Sequence, residues 1–406
     1  SKAMIATGGL VSLARRSHGM ALEALEPVVD LDALRTRIAG ITARLGTAIG
    51  DLLASQGVRV ITGTARLTGP HEVAVETASG TEHLPADAVL LSTGSRPRVP
   101  EWAEPDGVRV LTTRDAYPPR ELPRHLVVIG SGVTGVEFVH MFRCFGATVT
   151  LIISRQQVLP QKDPEVAAAL EADFLASGVV LSKGSRAVGL DREGDELIVR
   201  CDDGRVARGT HVLLAVGSVP NVEELGLETA GIERDAAGNV PVNQHCQSAV
   251  PHIYAAGDLS GRLPLASVAS VQGRKVAEHV MGLHTRQHRH LDYDKAASAI
   301  FTEPEIADVG LAEAEAFAIG RKIRVTKVPF TANARALIDG DARGFVKIIS
   351  DPVTGMVLGG SIVGRGASEL ISVLALAVTA RLGVADIAES LLVHPALAEA
   401  LADAAE

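Results

Sequence analysis

The sequence predicts an α/β fold: two parallel-sheet units of similar design, then a C-terminal α+β domain. Three observations predict it. One is a strand–turn–helix–strand run between Arg124 and Leu159, with glycines at positions 130, 132 and 135. Another is a repeated pattern, an apolar strand entering a small-residue turn, at Ala88–Pro97 and again at His211–Asn221. The third is a change of texture after Ala299, where a hairpin and helices replace the earlier alternation.

Taken in order, Ser1 to Leu13 reads as the continuation of an element already under way. Asp32 is read as the N-cap of a helix carrying Leu34, Ile38, Ile41, Leu45, Ile49 and Leu52 at helical spacing, a stripe expected to be core. Gly57–Ile61 is expected to return as a strand, and Glu72–Glu76 alternates like a half-exposed one. Ala88–Leu91 is expected as a buried strand running into Thr93-Gly94-Ser95-Arg96-Pro97. His211–Val216 repeats that design before Gly217-Ser218-Val219-Pro220-Asn221. Ile253–Ala256 is a strand ending at Gly257-Asp258, and Leu265–Arg274 leads into a helix. Gly282–Asp294, with His284, His288 and His290, is read as a polar linker. His284 and His288 could share a helix face and bind a metal, but a solvated linker is preferred and no metal site is assigned. Gly344–Ile349 and Val357–Val363 form a hairpin across Asp351-Pro352 and Thr354-Gly355, followed by helices near Ala367–Arg381 and Val384–Glu389.

The central run carries the most chemistry. Leu126–Ile129 reads as a buried strand, Val136 to about Phe145 as a helix that Gly146 stops, and Thr148–Ile153 as the next strand. Gly130 permits a tight turn, Gly132 lets backbone approach a pyrophosphate, and Gly135 lets the helix pack on its strand. The helix N-terminus then offers free N–H groups to phosphates. With strand, helix and second strand all in order, this is a Rossmann-like dinucleotide unit, and an ordinary crossover is the minor reading. The repeated strand–turn pattern suggests a second such unit. NAD-specific units place an acid about 20 residues past the glycines, at the end of the second strand. Here that end reads Ile152-Ile153-Ser154-Arg155, so Arg155 is expected to accept the 2′-phosphate of NADPH.

Composition narrows the remaining classes. A net charge of −9 argues against nucleic-acid or anionic-membrane surfaces. The longest apolar run, Leu370–Ala380, is too short to span a bilayer and is expected to be a buried helix. Cys144, Cys201 and Cys246 stand far apart without C-x-x-C spacing, so no disulfide framework or zinc knuckle is implied and structural roles are expected. A cytoplasmic protein is the default expectation, weakened by a first residue that is not Met.

Ser1-Lys2, Thr93-Gly94, Gly130–Glu137, Gly217–Asn221, Tyr254–Asp258, Gln272-Gly273-Arg274, Gly344–Lys347 and His394-Pro395 follow one another in an order that resembles the pyridine nucleotide–disulfide oxidoreductases. Val216–Asn221 and Leu263–Ala269 look most like an actinobacterial, lipoamide-dehydrogenase-like branch that reduces quinones with NAD(P)H; many relatives carry Arg where this chain has Ser218. The resemblance implies two Rossmann-like domains and a C-terminal dimerisation domain: FAD-binding over 1–118 and 247–290, NAD(P)-binding over 119–246, and interface over 291–406. Family members begin with an FAD phosphate turn and a redox C-x-x-x-x-C before P-S-K. Both would lie upstream of Ser1, and the non-Met start favours a longer natural chain over a natural loss.

The roles that follow are implied by the resemblance. Asp258 accepts from the FAD ribityl chain, and Thr93, Gly94, Gly217, Gly257 and Ala266 are further cofactor-binding residues. Lys2 and Glu137 form a pair beside the flavin, expected to be buried together; the bland reading is a surface Lys and an unrelated Glu. His394 and Glu399 match a C-terminal acid–base pair that serves a redox thiol across a homodimer interface, with a simple helix-cap His as the alternative. The expected activity is FAD-dependent transfer from NAD(P)H to a quinone-type acceptor. A dithiol–disulfide reductase using upstream cysteines is the runner-up. A non-catalytic nucleotide-binding or redox-sensing protein is the third reading.

Overall fold

The computed structural model describes residues 1–23, 25–283 and 291–406. They form two compact units: Ser1–Ile38 with Pro97–Gly217 and Asp294–Glu406, and Ala39–Arg96 with Ser218–Tyr293.

In the first unit a five-stranded parallel sheet runs in the order Val110–Thr112, His211–Leu214, His125–Ile129, Thr148–Ile153, Val180–Lys183. Leu126, Val127 and Val128 are fully buried, as strands covered on both faces must be. Helix α1 (Lys2–Arg15) takes up the opening segment that sequence left undefined. Helix α2, Leu31–Ser55, has only its residues up to Ile38 in this unit, and α3 lies at Val133–Cys144. The last starts a turn earlier than expected, because Gly132 rather than a later residue is its N-cap and Gly135 already lies inside it. Gly146, at φ +98°, ends α3. α1 packs on α3 at Gly8, where an added Cβ would lie 3.3 Å from Cys144 Cβ.

Two readings of α2 are corrected. Its first N–H groups, those of Asp32 and Ala33, donate to Asp30, so Asp30 and not Asp32 is the cap. Of the apolar stripe only Leu34 is buried, whereas Leu45, Ile49 and Leu52 are about 60% exposed. The period reports an apolar face correctly, but nothing among the described residues covers its C-terminal half.

The C-terminal part of the first unit is a five-stranded antiparallel sheet, ordered Ser298–Ile300, Ile306–Gly310, Val357–Val363, Phe345–Ser350, Arg324–Pro329. The expected hairpin pairs Val346 with Ile362 and Lys347 with Ser361. The helix Ala367–Ala380 buries Ile371, Leu374 and Ala377 on it, but Leu376 on the other face is 63% exposed, so only half of the expected burial is met.

In the second unit, Thr64–Gly69, Glu72–Thr77 and Gly80–Pro85 form an antiparallel sheet, and Val89–Leu91 pairs in parallel with Ile253–Ala255. The helix Ala266–Val280 follows. Leu90 is 40% exposed and only Leu91 of its strand is buried, so the expected buried strand is half covered. Residues 57–61 form no strand, since no ladder partner lies beside them among the described residues. The His-rich stretch with His284, His288 and His290 lies outside the described residues. Among those described, no helix is long and apolar enough to cross a membrane.

Candidate nucleotide and catalytic sites

The glycine turn is demanded by sterics. Gly130 sits at φ +110°, and a Cβ there would lie 2.3 Å from the Ala215 carbonyl oxygen. A Cβ on Gly135 would lie 1.9 Å from the Gly130 oxygen, so any larger residue would push α3 off the turn. Gly132 differs: its Cβ would meet nothing within 4 Å, so protein packing does not require it and close approach of a ligand would. The turn borders a cavity of about 700 Å³ whose wall includes Gly130, Gly132, Ser154, Arg155, Arg186 and Gly217.

Arg186 was not legible beforehand. It reaches this wall because Gly184 N–H donates to the Arg155 carbonyl at 3.0 Å and Ser185 N–H to Ile153 at 3.1 Å. Two guanidinium groups thus stand at the end of the second strand, where an NAD site would hold an acid. Neither is paired with a carboxylate among the described residues. Gly217 adopts φ +99°, and its carbonyl accepts from Arg98 N–H at 2.9 Å.

Lys2 and Glu137 are in contact, although 135 residues separate them. Lys2 Nζ lies 2.6 and 2.7 Å from the two Glu137 oxygens, and Phe301 N–H donates to Oε1 at 3.0 Å. Lys2 Nζ also stands 4.2 Å from the centre of the Phe301 ring. Lys2 occupies the first turn of α1, where the helix dipole disfavours a cation, and the Glu137 carboxylate offsets this. The expected joint burial is corrected: the Glu137 side chain is 9% exposed but that of Lys2 is 54% exposed. The ammonium is therefore anchored at one end and open at the other.

In the second unit Thr93 Oγ1 donates to the Asn221 carbonyl at 2.7 Å, and Asn221 Nδ2 returns a bond to the Thr93 carbonyl at 2.9 Å. Asn221 N–H also donates to Gly94, tying the two similar turns together. Asp258 accepts from Ser95 Oγ at 2.6 Å. The neighbouring Gly257 N–H donates to the fully buried Gln272, which bonds Tyr293 in turn. Ala266 opens the helix Ala266–Val280.

His394 Nδ1 lies 2.8 Å from Glu399 Oε1, while Glu399 Oε2 accepts from Ala396 N–H at 2.8 Å. That backbone bond first, and His394 second, hold the Glu399 carboxyl below its ordinary range. Asn333 Nδ2 donates to the Ala396 carbonyl and fixes the turn from outside. The imidazole is 74% exposed, oriented but uncovered.

All three cysteines are free and buried. Burial pushes the Cys144 thiol up to about 12, which removes it as a nucleophile at neutral pH.

The pyridine nucleotide-disulphide oxidoreductase model matches residues 3–273, and the dimerisation-domain model of the same family matches 296–405. The chain is 39% identical to an NAD(P)H dehydrogenase (quinone) of Mycobacterium tuberculosis, over all of this chain and 83% of that one. It is 33% identical to a dihydrolipoyl dehydrogenase of Zymomonas mobilis, over 99% of this chain and 86% of the other. Among solved structures, LpdA from M. tuberculosis superposes with a TM-score of 0.93 at 38% identity, covering all of this chain and 88% of that one. The HOCl-induced flavoprotein disulfide reductase RclA of Escherichia coli, at 24% identity, shares the fold with a TM-score of 0.84, covering 92% of this chain and 85% of that one. With the glycine turn and both matched models in agreement, the chain belongs to the pyridine nucleotide–disulphide oxidoreductase family.

Proposed function

We propose that this protein is an FAD-dependent oxidoreductase that oxidises NAD(P)H and delivers the electrons to a quinone-type acceptor. The observation that carries the reading is the 2.6 Å Lys2–Glu137 contact, built on the same α3 whose N-terminus closes the glycine turn. An anchored, half-open ammonium supplies positive charge where a redox step develops negative charge. Flavin, when bound, supplies the two-electron chemistry between pyridine nucleotide and acceptor. The similarity of the whole of this chain to an NAD(P)H dehydrogenase (quinone) supports the acceptor class.

The residues fit both cofactors. Open backbone at Gly132 and the α3 N-terminus suit a pyrophosphate, and Gly130, Gly135 and Gly217 shape the turn around it. Arg155 and Arg186 suit a 2′-phosphate, so NADPH is accepted at least as well as NADH. Asp258, steadied by Ser95, accepts from a hydroxylated chain, with Thr93, Gly94, Gly257 and Ala266 as further FAD contacts. We divide the chain accordingly into FAD-binding (1–118, 247–290), NAD(P)-binding (119–246) and interface (291–406) parts. Exposed Leu376, Leu391 and Val393 in the last part support a homodimer. Three free cysteines without a disulfide support a cytoplasmic location.

The second reading, a dithiol–disulfide reductase, is favoured by the His394–Glu399 bond, the arrangement an acid–base imidazole needs. Anaerobic NADPH titration of the full-length natural holoprotein separates the two. Direct bleaching of the flavin supports the quinone reading and leaves His394 structural. A long-wavelength thiolate–flavin band overturns it and makes His394 and Glu399 the acid–base pair.

A further inference from the structure

Four residues apart on α3, His140 and Cys144 share one helix face, and the loop after the strand Ser298–Ile300 brings Glu303 against them. One ligand atom from each lies within 4.8 Å of the other two. His140 is 7% exposed and Cys144 8%. Among the described residues the His140 nitrogens meet Cys144 Sγ, at 3.8 Å from Nδ1 and 3.9 Å from Nε2. A sulfur equidistant from both nitrogens squarely satisfies neither, so the ring is a buried polar group without a good partner. Glu303 is bound by Arg16 and Arg343, but both bonds fall on Oε1, which leaves Oε2 without a partner among the described residues.

We propose that His140, Cys144 and Glu303 form a binding site for a zinc-class divalent metal ion. The donor set of one imidazole nitrogen, one thiolate and one carboxylate oxygen is that of a tetrahedral zinc site with three protein ligands. The 3.8–3.9 Å S···N spacing needs only a small contraction to match ligands that each sit about 2.0–2.3 Å from zinc. Hard cations are disfavoured, because two of the three donors are sulfur and nitrogen and only one carboxylate enters the set; Arg15, Arg16, Arg143 and Arg343, which line the adjoining cavity of about 200 Å³, repel any dication and weaken the site. Arg15 and Arg143 offset only part of the burial cost of a Cys144 thiolate, so the metal–sulfur bond must supply the rest. On binding, the Cys144 S–H bond breaks, an S–metal bond forms and the proton leaves to solvent; neutral His140 and Glu303 Oε2 complete the protein ligands. The cavity side leaves the fourth position to water.

The site also touches the catalytic pair through the backbone. Glu137, His140 and Cys144 are spaced i, i+3 and i+7 along α3, and Glu303 follows two residues after Phe301, whose N–H holds Glu137. Metal binding therefore couples the two segments that position Glu137.

The test is titration of the full-length holoprotein with Zn²⁺ by calorimetry and with Co²⁺ by absorbance. One ion per chain is expected, with a thiolate-to-cobalt charge-transfer band and release of one proton per Zn²⁺. Cys144→Ser should abolish that band, and His140→Gln should weaken Zn²⁺ binding by at least about tenfold; an unchanged flavin spectrum verifies the fold of each. A variant with His284, His288 and His290 all changed to Ala should bind as the natural protein does. Absence of binding, a charge-transfer band that survives Cys144→Ser, or loss of binding in the triple-His variant overturns the proposal.

Discussion

Replacing Lys347 with Met tests the internal electrostatics of the first unit. Lys347 lies on the strand Phe345–Ser350 with its side chain 1% exposed. Its Nζ meets Asp163 Oδ2 at 3.2 Å, Glu165 Oε2 at 2.5 Å and Glu313 Oε2 at 2.8 Å. Burial alone would lower the ammonium's affinity for its proton, but Glu165, Glu313 and Asp163 outweigh it and push its pKa up. The three carboxylates differ in what they do once the cation is gone. Glu165 is 47% exposed and keeps Lys327 at 2.7 Å, and Glu313, 28% exposed, can be solvated. Asp163, 6% exposed, can do neither. Among the described residues its carboxylate then retains only the cap bond from Glu165 N–H at 2.9 Å. Stranding one buried charge costs about 3–5 kcal/mol, and the solvation open to the other two places Lys347→Met near the lower end, about 3 kcal/mol. Denaturant unfolding followed at Trp102, the single tryptophan and part of the same unit, measures this. Adding Asp163→Asn neutralises the stranded carboxylate and keeps an N-cap, so the double variant should recover more than half of the loss. A single-variant cost under about 1 kcal/mol, or a double variant no more stable than the single, refutes the reasoning.

Three further outcomes are expected. Arg155→Glu with Arg186→Glu should lower kcat/KM for NADPH at least about tenfold more than for NADH, and high salt should shrink the difference because both groups are exposed. Equal losses with the two nucleotides would show that neither Arg reads the 2′-phosphate. Glu137→Gln removes the charge facing Lys2 but keeps an acceptor for Phe301 N–H, so stopped-flow flavin reduction should slow while the melting temperature barely moves. Burial alone would raise the Asp341 carboxyl, but Arg343 and Arg16 hold it at about 2. A carboxyl depressed on folding contributes stability above its unfolded pKa, lost as pH falls through the folded value. Asp341→Asn should therefore cost about 1–2 kcal/mol near neutrality, allowing for partial solvent screening, and no more than about 0.4 kcal/mol near pH 2, where the folded carboxyl is half protonated. A gap that persists across urea melts from pH 7 to pH 2 would refute the assignment.

What the sequence determined alone lies within short reach along the chain. The turn at Gly130–Gly135, the strand Thr148–Ile153 and the hairpin through Lys347 and Ser361 were legible in this way, while the step from His394 to Glu399 came from the family resemblance. Steric demands on a glycine and the period of an apolar run are satisfied by neighbours a few residues away, so local order encodes them. Tertiary structure decided the rest. It carried Arg186 to Arg155 and gathered Glu303 onto the helix of His140 and Cys144, and it left Lys2 open while burying Glu137, in a pair that the family resemblance had implied. It also left Leu45, Ile49 and Leu52 exposed and residues 57–61 without a ladder. A contact between distant residues depends on how whole elements pack. Likewise, an amphipathic period says which face is apolar and is silent on what covers it.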